Sequence, residues 1–157
     1  MLSAGEVSGD LNASFLAREL VQLLPEVELI GMGGPKMAAA GVKILEDPTQ
    51  EGLLGFWESL KALPRMKRLL VRMEASLQTE QPTCLVLVDF PGFNMKLAQK
   101  AQALGIPTVY YFAPSAWVWG RGRAKEVAQN SQLVLSVFPM EEQVYKEAGA
   151  NVSYVGH

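Results

Sequence analysis

Short, continuously apolar runs alternate with longer amphipathic stretches along this chain, and that alternation restricts it to few folds. The strand-like runs are Val27–Gly31, Val42–Leu45, Cys84–Asp89, Thr108–Phe112, Leu133–Phe138 and Val152–Val155. Between them lie helical stretches at Leu11–Leu24, Pro35–Ala40, Trp57–Thr79, Met95–Leu104, Arg123–Gln129 and Met140–Ala148. Runs such as Leu85-Val86-Leu87-Val88 do not alternate with polar residues, which suits strands buried on both faces of a parallel sheet. Strands alternating with helices of this length predict βαβ crossovers and an α/β fold: a Rossmann-like, doubly wound parallel sheet. Gly105-Ile106-Pro107 and Gly149 punctuate two helix-to-strand junctions, and Pro64 is expected to break or kink the long Trp57–Thr79 stretch.

The chain of 157 residues, 49% of them hydrophobic, supplies one domain with a proper core. A net charge of -2 argues against nucleic acid as a partner. From Lys61 to Arg72, however, the charges are all positive: Lys61, Arg65, Lys67, Arg68 and Arg72. The lone cysteine, Cys84, excludes an internal disulfide and reads as strand packing, and the single histidine, His157, excludes a Ser-His-Asp triad within this chain. Neither residue supports a metal site, and no cofactor is expected. No apolar run approaches the roughly 20 residues of a membrane span, and no signal peptide is visible, so the expected compartment is the cytoplasm. Only Met1 to Ala4 precede the first glycine turn, where a central strand has about five residues. The first strand is therefore expected to be truncated, and a further element is expected after Val155-Gly156-His157.

Four segments could carry chemistry. The turn Gly5 to Asp10 places Glu6, Ser8, Gly9 and Asp10 before a helix, where backbone N–H groups bind anions or sugar hydroxyls; alternatively Ser8 or Asp10 only caps that helix. Gly31-Met32-Gly33-Gly34-Pro35 is a second turn of this kind. Asp89 ends the most apolar strand, where it serves as a general base or as a cap for the helix after Pro91, a task for which Asn94 is better placed. Ser115, Trp117, Trp119 and Arg123 follow another strand, with aromatic rings suited to sugar faces and arginine to phosphate, or to closing the core edge. Finally, Leu53, Leu54, Phe56 and Trp57 precede the basic run with Arg65, Lys67 and Arg68, an apolar-basic element suited to an anionic lipid surface or simply an amphipathic helix.

Six motifs fall together in order. Ser3-Ala4-Gly5-Glu6-Val7-Ser8-Gly9-Asp10, Gly31-Met32-Gly33-Gly34-Pro35-Lys36-Met37, Val88-Asp89-Phe90-Pro91-Gly92-Phe93-Asn94, Pro114-Ser115-Ala116-Trp117-Val118-Trp119, Phe138-Pro139 and Val155-Gly156-His157 resemble the lipid-A-disaccharide synthases across nearly the whole chain. The resemblance implies the N-terminal, acceptor-binding domain of a GT-B glycosyltransferase, spanning residues 1–157 and lacking the C-terminal nucleotide-sugar domain. It implies an inverting, metal-independent transfer from UDP-2,3-diacylglucosamine to 2,3-diacylglucosamine 1-phosphate (lipid X), releasing UDP. It also implies peripheral attachment to the inner face of the cytoplasmic membrane through anionic lipid.

On that resemblance Asp89 orients or deprotonates the acceptor 6-hydroxyl, with Glu6 as the alternative base. Ser8, Gly9 and Asp10 shape the first turn, Asn94 holds the loop beside Asp89, and Ser115, Trp117 and Trp119 line the cleft with Arg123 near an anionic group. Residues Leu53 to Arg72 would meet the membrane and admit acyl chains. Two departures stand out: Gly92 replaces an acid of the family pattern, and Trp119-Gly120-Arg121-Gly122-Arg123 moves one arginine by a position. The competing expectations are another GT-B sugar enzyme, a flavodoxin-like module that binds a lipid phosphate without turnover, or a degraded fragment.

Overall fold

In the computed structural model, which describes residues 1–49, 63–114 and 121–157, strands and helices alternate as the apolar pattern requires. The order is β1 (Leu2–Ala4), α1 (Val7–Leu23), β2 (Ile30–Met32), α2 (Pro35–Ala39), β3 (Lys43–Glu46), α3 (Leu63–Glu80), β4 (Leu85–Val88), α4 (Pro91–Ala103), β5 (Thr108–Tyr111), α5 (Arg121–Asn130), β6 (Leu133–Ser136), α6 (Pro139–Glu147) and β7 (Val152–Tyr154). The strands form one seven-stranded sheet in the order β3-β2-β1-β4-β5-β6-β7. All neighbours are parallel. This is the Rossmann-like, doubly wound arrangement. Its strand order reverses between β1 and β4, and ligands gather outside the carboxyl ends of strands at such a point.

Two cores, one on each face, explain why β4 reads as uninterrupted apolar sequence. Leu85 and Leu87 pack with Leu69, Met73 and Leu77 of α3 and Phe93 and Leu97 of α4. Val86 and Val88 point the other way, toward Ala13 and Ala17 of α1 and Met37 of α2. β1 is short but secured, because the Met1 ammonium donates to the Cys84 carbonyl at 2.8 Å and burial lowers its pKa. Cys84 itself stands just ahead of β4 and is only half-buried, a correction to its reading as core packing. Pro64 stands next to the first described residue of α3, and the part of the Trp57–Thr79 stretch ahead of Leu63, where the break is expected, lies outside the described residues.

The first glycine turn is tighter than its composition suggests. Helix α1 starts at Val7 rather than Leu11, so Ser8, Gly9 and Asp10 lie in its first turn instead of in a loop. Packing overrides their weak helix propensity. Gly9 is buried, and a Cβ there would stand 3.4 Å from both the Ala4 Cβ and the Val88 carbonyl oxygen. α1 thus presses on the ends of β1 and β4. Neither Ser8 nor Asp10 caps α1. Asp10, 2% exposed, reaches across to α2. Its Oδ1 accepts the Gly34 and Met37 N–H groups at 2.8 and 3.0 Å, and its Oδ2 accepts Lys36 N–H at 3.0 Å. One carboxylate therefore ties both glycine-rich turns together. Asp10→Ala is expected to cost about 2–4 kcal/mol in denaturant unfolding, because two buried donors and one part-buried donor lose their acceptor. A loss under about 1 kcal/mol would mean that water replaces the carboxylate there.

Candidate active site

The switch point brings Glu6 and Asp89 together from the ends of β1 and β4. Gly5 allows the approach: a Cβ there would lie 2.1 Å from the Phe90 ring, which is 2% exposed and stacks on Phe93 at 5.4 Å. Gly5→Ala is therefore expected to destabilise the fold by about 1–3 kcal/mol through overpacking. Gly92 is its counterpart, with nothing within 4 Å of the corresponding Cβ position. Gly92→Ala is expected to be neutral or stabilising by up to about 1 kcal/mol. Thermal melts of the two variants, read side by side, test both statements, and similar shifts would contradict the close approach at Gly5.

Asp89 and Phe90 both take left-handed backbone conformations, with φ of 52° and 55°. Such residues cost about 1–3 kcal/mol each and persist only where their surroundings impose them. Here Asn94 and Tyr110 impose them. Asn94 Nδ2 donates to the Asp89 carbonyl at 2.7 Å, and the Tyr110 hydroxyl donates to the same oxygen at 3.1 Å. Asn94 also accepts the Ser3 hydroxyl at 2.6 Å and donates to the Ser3 and Val88 carbonyls at 3.2 and 3.3 Å. It sits inside the first turn of α4 and holds the strand ends, so it does not cap the helix. Asp89 does not cap it either: Phe90 occupies that position, without a side-chain cap. The Asp89 side chain instead accepts the Ser8 hydroxyl at 3.3 Å.

Glu6 has its carboxyl pKa raised, first by burial and second by the negative charge of Asp89. It borders a cavity of about 350 Å³ whose apolar walls come from Leu63, Met66 and Leu70 of α3 and from Phe90 and Phe93. Lys67, Pro91, Gly92 and Lys96 also line it. Lys67 thus belongs to the cavity, whereas Arg65 borders a small recess beside Glu46 and Asp47, and Arg68 is exposed on α3. Arg123 is half-buried on α5, where its charge opposes the upward pKa shift that burial gives the Tyr110 and Tyr145 phenols. Tyr145 donates to the Pro114 carbonyl at 2.6 Å, just ahead of the Ser115–Trp119 motif. Ser115, Trp117, Trp119, Leu53, Leu54, Phe56 and Trp57 lie outside the described residues. Among the described residues, no group of three or more His, Cys, Asp or Glu is placed to hold a metal ion, and no helix is long and apolar enough to cross a membrane.

The model of the lipid-A-disaccharide synthetase family matches residues 1–157. The chain belongs to that family. A lipid-A-disaccharide synthase of Myxococcus xanthus (strain DK1622) is 38% identical over 156 residues, covering 99% of this chain and 41% of that relative. That of Geobacter sulfurreducens is 38% identical over 157 residues, 100% of this chain and 41% of the relative. That of Sulfurihydrogenibium sp. (strain YO3AOP1) is 40% identical over 159 residues, 99% of this chain and 40% of the relative. The chain thus spans about two fifths of the length of these lipid-A-disaccharide synthases, from their N-terminal part. Within that part, the sequence motifs led to the Gly5–Asp10 and Asp89–Asn94 turns but not to Lys96, Tyr110 or Tyr145. Lys96 carries no motif signal: only the packing of α4 against α3 brings it beside Lys67.

Proposed function

We propose that this chain is the acceptor-binding half of an inverting glycosyltransferase. The enzyme transfers 2,3-diacylglucosamine from UDP-2,3-diacylglucosamine to lipid X, with the remainder of the full-length protein holding the nucleotide sugar. The observation that carries this reading is the apolar cavity with a raised-pKa carboxyl, Glu6, on its wall and Asp89 beside it at the topological switch point. Acyl chains enter between Leu63, Met66, Leu70 and Phe93, and the sugar comes to rest against the carboxylates. The acceptor 6-hydroxyl gives its proton to the Glu6–Asp89 pair as its oxygen bonds to the donor anomeric carbon. The bond from that carbon to the UDP phosphate oxygen breaks, and UDP leaves with the electron pair. A carboxyl whose pKa is raised is a stronger base once ionised, and Glu6 lines the cavity. Ser8 steadies Asp89, Asn94 fixes its backbone, and Ser115, Trp117 and Trp119 are assigned the remaining sugar contacts.

Membrane attachment is part of the proposal. Leu63, Lys67 and Val71 recur every fourth residue on α3, and both aliphatic members are exposed, at 49% and 64%. Together with Arg68 they suit the inner face of an anionic bilayer, beside the acyl-chain entrance. The test is a transfer assay with UDP-2,3-diacylglucosamine and labelled lipid X, on the chain alone and joined to the C-terminal remainder of a family member. Product from the joined form alone supports the split-site reading. No product from either, with both folded and lipid X bound, would instead make this a binding module without turnover.

A further inference from the structure

The exits of β4 and β5 at the carboxyl end of the sheet are built alike. Asp89 follows β4 and Phe112 follows β5, and both take left-handed backbone conformations with φ of 52°. Past Phe112 the chain turns inward, since Ala113 and Pro114 are both buried. An exit turned inward carries its carbonyls away from water, and a buried carbonyl without a donor costs about 1–3 kcal/mol. At each exit a tyrosine from further along the chain supplies that donor. Tyr110 of β5 serves the Asp89 carbonyl at 3.1 Å, and Tyr145 of α6 serves the Pro114 carbonyl at 2.6 Å. Both tyrosines are fully buried, in one core with Ala113, Ala124, Val127 and Val134. Burial raises the pKa of both phenols, so each stays a protonated donor at neutral pH.

The two donors are not equivalent. Asn94 also donates to the Asp89 carbonyl, at 2.7 Å, whereas among the described residues Tyr145 alone donates to the Pro114 carbonyl. A phenylalanine at position 145 would fill the same core with no hydroxyl to satisfy, so the oxygen serves the strand exit rather than the packing. The sequence that leaves this exit is Ser115-Ala116-Trp117-Val118-Trp119. We propose that Tyr145 is a positioning residue for acceptor binding: from α6 it fixes where the β5 exit ends, and so where the Ser115–Trp119 segment begins. This role rests on the acceptor-binding reading, which assigns sugar contacts to that segment, and adds the residue that sets its origin. Tyr145 is sealed in the core, so it acts through the Pro114 carbonyl and not by touching substrate.

The experiment is steady-state transfer by the full-length enzyme carrying Tyr145→Phe, with Tyr110→Phe as the comparison. Amide exchange at Phe112 and Ala113 and a thermal melt accompany it. Tyr145→Phe is expected to raise KM for lipid X about three- to tenfold, with kcat and the KM for the UDP donor within about twofold of the parent. Exchange at Phe112 and Ala113 should quicken in the same variant. Tyr110→Phe, which leaves Asn94 on its carbonyl, should keep both KM values and the parent exchange rates there. A merely structural phenol would lower the folded fraction, and hence the apparent kcat, at constant KM. A folded Tyr145→Phe enzyme with the parent KM for lipid X would therefore remove the positioning role, and so would a fall in kcat alone. An equal rise in KM for both substrates would also remove it, in favour of general loosening. A parent enzyme without turnover would instead remove the glycosyltransferase reading. The lipid X dissociation constants of parent and Tyr145→Phe, in neutral detergent micelles, then decide the role of Tyr145 by the same ratio.

Discussion

Asp89→Asn and Glu6→Gln, each placed in the full-length enzyme, are expected to lower turnover by about two orders of magnitude or more, the scale of a lost general base. The two variants should differ in pH dependence. Asp89 is the second cause of the raised Glu6 pKa, after burial. Removing its charge lets the Glu6 carboxyl ionise at lower pH, so the acid limb of the residual kcat/KM profile moves down in Asp89→Asn. In Glu6→Gln the titrating group is gone, and that limb disappears. Both profiles are needed to assign the roles. A Glu6→Gln enzyme with turnover within a few-fold of the parent and an unchanged acid limb would give the base role to Asp89.

The same shift has a consequence for stability. A carboxyl whose folded pKa lies above its usual 4.5 favours the protonated native state. Its stabilising contribution is complete below 4.5 and is lost as the pH rises through the folded value. At neutral pH the native state therefore carries an ionised Glu6 at a cost, which Glu6→Gln removes. The variant is expected to melt higher than the parent at pH 7 and to lose that advantage as the pH falls toward 4. A lower melting temperature at pH 7 would contradict the desolvation of Glu6.

Much of this architecture was legible because its signals are local. Leu85-Val86-Leu87-Val88 announced a two-sided strand by itself, and the structure shows alternate members in opposite cores. Asp89 and Glu6 were legible as strand-end acids through the motifs around them, and the resemblance gave the family. The contacts that shape the site are of another kind. Asn94 binds Ser3 across 91 positions, and Asp10 binds Gly34 across 24. No periodicity encodes such partners, so Asp10 read as a shaper of its own turn when it fastens the next one. The start of α1 was missed for a related reason. Ser8, Gly9 and Asp10 are poor helix formers, and only the close seat of Gly9 on Ala4 and Val88 shows why helix forms there. Lys96 is the furthest case, a lysine on an ordinary helical face until the crossover from β3 to β4 lays α3 beside it.

Asn94→Ala is expected to destabilise the chain by about 3 kcal/mol or more, among the largest single effects in this fold. Its side chain is fully buried and makes four bonds, to the Ser3 hydroxyl and to the Ser3, Val88 and Asp89 carbonyls. Truncation strands the Ser3 hydroxyl, itself 0% exposed, and frees half of the clamp on the Asp89 carbonyl. Tyr110→Phe removes the other half, at 3.1 Å, and is expected to cost only about 1 kcal/mol, because Asn94 still serves that oxygen. Asn94→Asp separates the two functions of the amide. It keeps an acceptor for Ser3 but turns a second set of lone pairs toward three carbonyl oxygens, so it should be at least as harmful as Asn94→Ala. The expected order of unfolding midpoints is parent, Tyr110→Phe, Asn94→Ala, then Asn94→Asp. Amide exchange at Phe93 and Asn94, whose N–H groups bond the Phe90 carbonyl, should quicken in the same order, because the turn they close is the one the clamp holds left-handed. If Asn94→Ala unfolds within about 1 kcal/mol of the parent and exchange there is unchanged, the conformation of Asp89 is set by packing of the Phe90 ring rather than by the amide.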